Sequence, residues 1–394
     1  MLKLSKEAEK VSLQKQEDKA YTKNFWKTAK NITNGTFGES ESSPAFSKEA
    51  ADKFYKEKYE NPVNIDLSDL SWFPVLEKPK MEYNLAPYKP KDIKNALRHK
   101  DMTSAPGHDG IVYGFLMKMP SLHKVLATTF TQIRDKGVAP DSWGIIKVIL
   151  IKKKPEDPDS DPTNFRMISL TLNIGKLYHT LEAHRTMQYM VANKYLDPAA
   201  QKAYIDGVNG CVEHVVVVQE IIQHAKKNKE TMHTTWFDLE DAFGSVPHVL
   251  IPHVLSYYSL PKSIIAYITS LYTKLKGKVF TKDWETDFFN FLKGVFQGDP
   301  FSWVIFLIIF HPVIEYIKKL KETHGYTLTT LQKGTKNIIT NPFADILNLI
   351  THNKTVHQQL VTDVERKIIS MGLFIKPQKC CSLSIVAGKS ESHY

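Results

Sequence analysis

Cysteine is nearly absent from this chain: Cys211, Cys380 and Cys381 are the only three in 394 residues. An odd number without zinc-ligand spacing excludes a disulfide framework and a structural zinc site. It points to a reducing, intracellular setting, nucleus or cytoplasm. Long apolar runs are missing as well. The longest aliphatic stretch, Trp303 to Phe310, is far shorter than the ~20 residues a bilayer-spanning helix needs and reads as a buried helix. The opening "MLKLSKEAEK" is charged and lacks the apolar core of a secretory signal. No internal repeat is visible. These absences argue against membrane and secreted classes.

What is present is an ordinary globular composition carrying a net charge of +10, from 52 Lys+Arg against 42 Asp+Glu. Such a balance suits a polyanion or an anionic membrane surface, although many basic proteins bind neither. The length suffices for two or three lobes around a sizeable core.

Aromatic spacing predicts short amphipathic helices in "NFWKTAKNI" and "SKEAADKFYKEKYE", followed by a Pro-rich connector over 63–88 and a helix opened by Pro90. "SAPGHDGI" breaks that helix. Helices are expected over 114–136, 173–195, 212–228, 247–276, 301–322 and 354–371. Strands are expected at "IIKVILI", "TTWFDL", "KVFT", "FFNFLKGV" and "LSIVAG", with "IITNPFADILNLI" as a hairpin-like pair. The acidic, Pro-rich "PEDPDSDP" predicts a hairpin after "IIKVILI". Strands interleaved with helices fit a mixed α/β or α+β sheet flanked by helices.

Two stretches carry possible chemistry. In "FDLEDAFGSVPH" a strand runs into Asp238, Glu240 and Asp241. A carboxylate at a strand end is a common position for a hard-metal ligand, but an acidic strand-to-helix turn reads the same way. In "FADILNLI" the single carboxylate of Asp345 interrupts an apolar, strand-like run, where an unpaired charge would cost several kcal/mol, roughly. The Gly/Pro loop "GVFQGDPFSW" ahead of an apolar helix is weak evidence alone.

Taken in order, these pieces and the later "GLFIKPQKC" resemble the reverse-transcriptase domain of non-LTR (LINE-type) retrotransposons, as a partial and degenerate copy. The similarity covers residues 85–390, with 1–84 like the helical and linker region ahead of the polymerase. It implies an α+β right-hand polymerase fold, with fingers over 85–230, a palm over 231–390 whose antiparallel sheet is backed by helices, and no thumb.

The resemblance also implies roles. Asp238 and Asp345 would hold Mg²⁺ (or Mn²⁺), with the Leu239 backbone facing the same ion. Lys153 and Arg166 would grip the triphosphate, and Phe243 would screen the sugar 2′ position. Gln297 and Gly298 would touch the incoming nucleotide and template, and Lys379 would donate a proton to departing pyrophosphate. "SAPGHDGI" matches a loop that contacts RNA or template. The implied partners are an RNA template, a DNA primer and deoxynucleoside triphosphates, with no membrane.

Departures from the family pattern are Ile346 where a second Asp stands, Asp299 for a small Ser, Met167 and Trp303 for Pro, and Ala203 for Gly. Asp299 is expected to add negative charge near the triphosphate. Two readings stand at this level. One is an RNA-directed DNA polymerase using two-metal nucleotidyl transfer to a primer 3′-OH. The other is an inactive nucleic-acid-binding relic of the same fold, because Ile346 replaces a catalytic Asp.

Overall fold

A computed structural model describes residues 44–198, 200–203, 211–330 and 334–391. The helix expected in "NFWKTAKNI" lies outside the described residues. The helix expected in "SKEAADKFYKEKYE" is present as α1 (Lys48–Tyr59), capped by Ser47, whose hydroxyl accepts from the Ala50 amide. Its Tyr55 and Tyr59 rings are buried.

Pro90 opens α2 (Pro90–Arg98), as expected. The 114–136 stretch is two helices, α3 (Tyr113–Lys118) and α4 (Leu122–Lys136), separated around Pro120. A proline there denies the chain a continuous ladder. The strand β1 (Ile145–Lys152) and β2 (Phe165–Leu170) form the expected antiparallel hairpin, with Ile151 opposite Arg166. Between them Asp161 caps a single turn at Pro162–Asn164. Helices α5 (Asn173–Ala192) and α6 (Cys211–Asn228) follow.

The strand β3 (Met232–Phe237) leads to α7 (Leu250–Tyr257) and α8 (Lys262–Tyr272), which replace the single helix expected over 247–276. The break falls at Ser259, with φ +57°, and Pro261. The strand β4 (Lys276–Val279) is where "KVFT" predicts it, whereas "FFNFLKGV" yields only the two-residue β5 (Phe289–Asn290). The rest of that apolar run is consumed in packing: Tyr59 meets Phe289 and Phe291 at ring separations of 6.2 and 4.9 Å.

Helix α9 (Ser302–Lys319) is apolar on nearly every side and is buried at the centre of the molecule. After a short turn of helix, β6 (Tyr326–Thr330) and β7 (Gly334–Ile338) form a separate two-stranded ribbon. The chain continues through β8 (Leu347–Thr351), α10 (Lys354–Ser370), β9 (Cys381–Val386) and β10 (Lys389–Glu391).

Two larger sheets carry the architecture. One has the order β2-β1-β4-β5, with a parallel β1–β4 pair; the other has the order β10-β9-β3-β8 and is antiparallel throughout. Helix α10 backs the second sheet across β3 and β8. The hairpin expected in "IITNPFADILNLI" is only a tip: β7 pairs with β6, and β8 joins β3. Between the arms run the Phe343–Ile346 bridge, an Ile350 amide donating to the Ile339 carbonyl at 2.8 Å and an Asn341 amide donating to Asn348 Oδ1 at 2.6 Å. Cys380 and Cys381 are free thiols. No helix among the described residues is long and apolar enough to cross a membrane.

Candidate active site

Asp238 stands one residue past the end of β3, the central strand of the antiparallel sheet. Its backbone is stitched to the segment before β9: the Lys376 amide donates to the Asp238 carbonyl at 2.8 Å, and the Glu240 amide donates to the Phe374 carbonyl at 2.7 Å. This pairing brackets the Leu239–Ile375 bridge and leaves the Leu239 carbonyl directed away from it. The chain then makes a single turn at Pro377–Lys379. That turn sets the Lys379 ammonium 3.2 Å from Asp238 Oδ1.

Asp345 reaches the same place from β8. The Phe343 and Ile346 amides and carbonyls exchange two hydrogen bonds of 2.9 Å, so Ala344 and Asp345 form a two-residue turn. Ala344 has φ +54°, a left-handed conformation that disfavours any Cβ. The Ala344 amide donates to Gln201 Oε1 at 3.1 Å, holding the turn. Asp345 therefore sits on a tip, not inside a strand. Burial pushes its carboxyl above the ordinary carboxylate value, the Asp238 charge adds to the rise, and Lys379 opposes it. The two carboxylates thus share one electrostatic environment.

Ile346 is 43% exposed. The β3–β8 register pairs Phe237 with Leu347, and one step further places Ile346 across from Asp238.

A cleft of about 670 Å³ gathers the sequence-singled residues Asp238, Leu239, Phe243, Asp345 and Lys379 with Lys153, Arg166 and Gln297. Gly298 and Ile346 are not part of its lining. Gly298 lies just behind, at φ +113°, where a Cβ would approach the Ser169 carbonyl to 3.3 Å. Its neighbour Gln297 is fixed by the Ser169 amide, which donates to the Gln297 carbonyl at 3.2 Å. Phe243 is half-buried and stacks on Phe306 at 4.8 Å, so one face of the ring is core and the other lines the cleft.

Lys153 and Arg166 come from the loop end of the β1–β2 hairpin. Lys153 donates to the Thr163 carbonyl at 2.7 Å. Burial lowers the pKa of its ammonium, and Lys58, Lys376 and Arg166 lower it further, against the opposing charge of Asp241.

One expectation fails. Asp299 adds no charge to the cleft, because the loop turns its side chain inward. There it accepts from the Phe301 amide at 2.8 Å and sits 2.5 Å from His179 Nδ1, whose Nε2 is 2.6 Å from the Tyr267 hydroxyl. The His179 partner and the Phe301 amide hold the Asp299 carboxyl below its usual value despite complete burial.

Sequence reasoning also missed three cations in the lining: Lys58, Lys293 and Lys376. Lys376 lay within the quoted "GLFIKPQKC" without a signal of its own. Lys58 lay within the amphipathic helix of "SKEAADKFYKEKYE", again without a signal of its own.

Residues 151–394 match the family described as reverse transcriptase (RNA-dependent DNA polymerase). Among curated proteins, the chain is 25% identical over 288 residues to the Retrovirus-related Pol polyprotein from type-1 retrotransposable element R2 of Nasonia vitripennis. That alignment covers 73% of this chain and 26% of the relative. It is also 25% identical over 292 residues to the Retrovirus-related Pol polyprotein from type-2 retrotransposable element R2DM of Drosophila melanogaster, covering 72% of this chain and 25% of that one. The chain therefore spans about a quarter of the length of the curated relatives it matches. Among solved structures, telomerase from Candida Tropicalis with a TWJ fragment of telomeric RNA aligns over 70% of this chain and 46% of its own, at 15% identity and a TM-score of 0.45. Since the family match spans well over half of the sequence, the chain belongs to the reverse transcriptase (RNA-dependent DNA polymerase) family.

Proposed function

We propose that this chain is the RNA-directed DNA polymerase domain of a non-LTR retrotransposon protein, adding deoxynucleotides to a DNA primer on an RNA template. The observation that carries this reading is the meeting of Asp238, Asp345 and Lys379 in one cleft with the Lys153–Arg166 hairpin end.

The donor set suits a hard divalent cation. Asp238 and Asp345 supply carboxylate oxygens, and the Leu239 carbonyl is not used by its β-bridge. Mg²⁺ is commonly held by only one or two carboxylates, with substrate phosphates and water completing its shell. Ile346 therefore thins the set without emptying it, and this favours the polymerase over the inactive relic. When bound, Mg²⁺ (or Mn²⁺) would stabilise charge on the attacking and leaving oxygens.

The chain's own residues do the rest. Lys153 and Arg166 bind the triphosphate, Arg166 through its paired N–H groups. The exposed face of Phe243 blocks a 2′-hydroxyl by steric clash. Gln297, held rigid on β2, contacts the base or sugar, and Gly298 lets the backbone come close. The primer 3′-hydroxyl releases its proton to solvent, its oxygen bonds to the α-phosphorus, and the bond from that phosphorus to the β-phosphate oxygen breaks. Lys379 holds a proton at Nζ for the pyrophosphate that leaves.

Primer extension on an RNA template tests the reading. Extension should require a divalent cation and vanish in Asp238→Asn and Asp345→Asn variants that remain folded. Extension that survives both substitutions would refute it.

A further inference from the structure

The family match begins at residue 151, yet α1, almost a hundred residues earlier, forms part of the cleft wall. Its attachment is extensive. Tyr55 and Tyr59 stack on Phe289 at 5.9 and 6.2 Å. The Leu292 amide donates to the Tyr59 carbonyl at 3.0 Å, and the Asn290 and Asp287 amides donate to Glu60 and Asp52, each at 2.8 Å. Helix α1 is thus tied along the segment that runs directly into Lys293 and Gln297.

Lys58, near the end of this helix, is one-third exposed and lies 2.7 Å from Asp241 Oδ2. Asp241 belongs to the acidic turn after Asp238 and has φ +44°. A Cβ at Gly244 would fall 2.5 Å from Asp241 Oδ2, so the glycine makes room for that carboxylate. The same pair governs two further cations. Lys293 has its pKa lowered by burial and then by Lys58, with Asp241 opposing, and Lys153 shows the same neighbours. Lys58 is paired with Asp241, and Lys153 and Lys293 line the same cleft and feel both charges. Clustered ammonium groups repel, and a polyanion relieves that repulsion where a single carboxylate does not.

We propose that Lys58 is a substrate-binding residue, which leaves Asp241 and, with Lys293 and Lys153, takes the polyphosphate of the incoming nucleotide. Asp241 acts as a resident competitor for the site, holding the lysine over the cleft between nucleotides. The inference rests on the polymerase reading, and it adds a nucleotide contact from a helix outside the matched region.

The experiment measures binding of inorganic tripolyphosphate to the full chain by calorimetry without divalent cation, so that no catalysis is involved. Lys58→Ala should weaken binding about tenfold, the scale of one lost charge-assisted contact, and Lys58→Arg should restore most of it. Asp241→Asn removes the competitor and should tighten binding. Asn tolerates the left-handed backbone at this position, and a gain in affinity cannot arise from misfolding. In extension assays Lys58→Ala should raise KM for nucleotides more than it lowers kcat.

Wild-type affinity in Lys58→Ala, or unchanged or weaker affinity in Asp241→Asn, overturns the proposal. If Lys153→Ala still weakens binding in that case, the nucleotide reading of the cleft stands without Lys58. If Lys153→Ala and Arg166→Ala are also silent, that reading falls with it.

Discussion

Replacing Ile346 by Asp should convert a thin cation site into a fuller one, and its effect can be worked out in advance. The β3–β8 register puts position 346 across from Asp238, beside the Asp345 tip. Ile346 is 43% exposed, so only about half of its side-chain burial is lost, about 1–2 kcal/mol. A carboxylate directly across from Asp238 adds like-charge repulsion on top of that loss. Without divalent cation, Ile346→Asp should melt lower than the parent chain. Mg²⁺ at ten times its dissociation constant stabilises a folded chain by about 1.4 kcal/mol. The variant, binding more tightly, should recover more than the parent as Mg²⁺ is titrated in, which a melting assay reads without any catalysis. Primer extension should rise by about 10²–10³, the effect of one charge-stabilising group. Adding Asp345→Asn to this variant should abolish the gain. Equal Mg²⁺ responses in parent and variant, with unchanged extension, would mean that position 346 does not face the cation and that the register argument is wrong.

Binding to an RNA–DNA hybrid should fall by about 10³ or more between about 50 and 200 mM salt, as expected when several cleft cations neutralise phosphates; a flat response in a filter-binding titration would exclude a phosphate-tracking groove. Phe243→Ala should admit ribonucleotides in extension assays while costing about 2 kcal/mol in urea unfolding, since only part of the ring packs on Phe306; undiminished discrimination would remove Phe243 from the sugar pocket. His357, buried between β3 and α10 with Thr235, Thr351 and His233 around it, has its pKa lowered to about 4 by burial and then by His233. Below pH 6.5 the unfolded chain takes up a proton that the folded chain refuses, so stability should drop between pH 6.5 and 4 by on the order of 3 kcal/mol. Unfolding curves across that range should flatten in His357→Gln; an unchanged slope would locate the acid sensitivity elsewhere.

Local signals carried much of this in the bare sequence. Asp238 and Asp345 stood out locally because each is an acid beside a β-rich run, whereas Lys153 and Arg166 were singled out only through the family resemblance. The breaks at Pro120 and Pro261 were missed, because the helical spacing on either side of each concealed them. The failures are tertiary. Nothing in "KEKYE" tells that Lys58 meets Asp241, since the contact depends on two tyrosines finding Phe289 and Phe291. Asp299 was misjudged for a related reason. Its place after Gln297-Gly298 suggested a charge facing the cleft, whereas the direction of a side chain in a loop depends on a partner, here His179, more than a hundred residues away. The apolar run at 288–295 read as a strand because hydrophobic content cannot distinguish a sheet partner from a helix partner.

The buried Asp299–His179–Tyr267 chain has a mechanical consequence. It couples the loop bearing Gln297 to α5 and, through the phenol, to α8, while the Ser169 amide ties the same loop to β2. Gln297 thus belongs to a rigid block made of three elements. Displacing this loop would disturb α5 and α8 or break a buried hydrogen bond to the Asp299 carboxylate. Arg166 stands on the same β2 as Ser169, so the hairpin end that carries Lys153 and Arg166 is joined to this block, and Gln297 and those cations would move together.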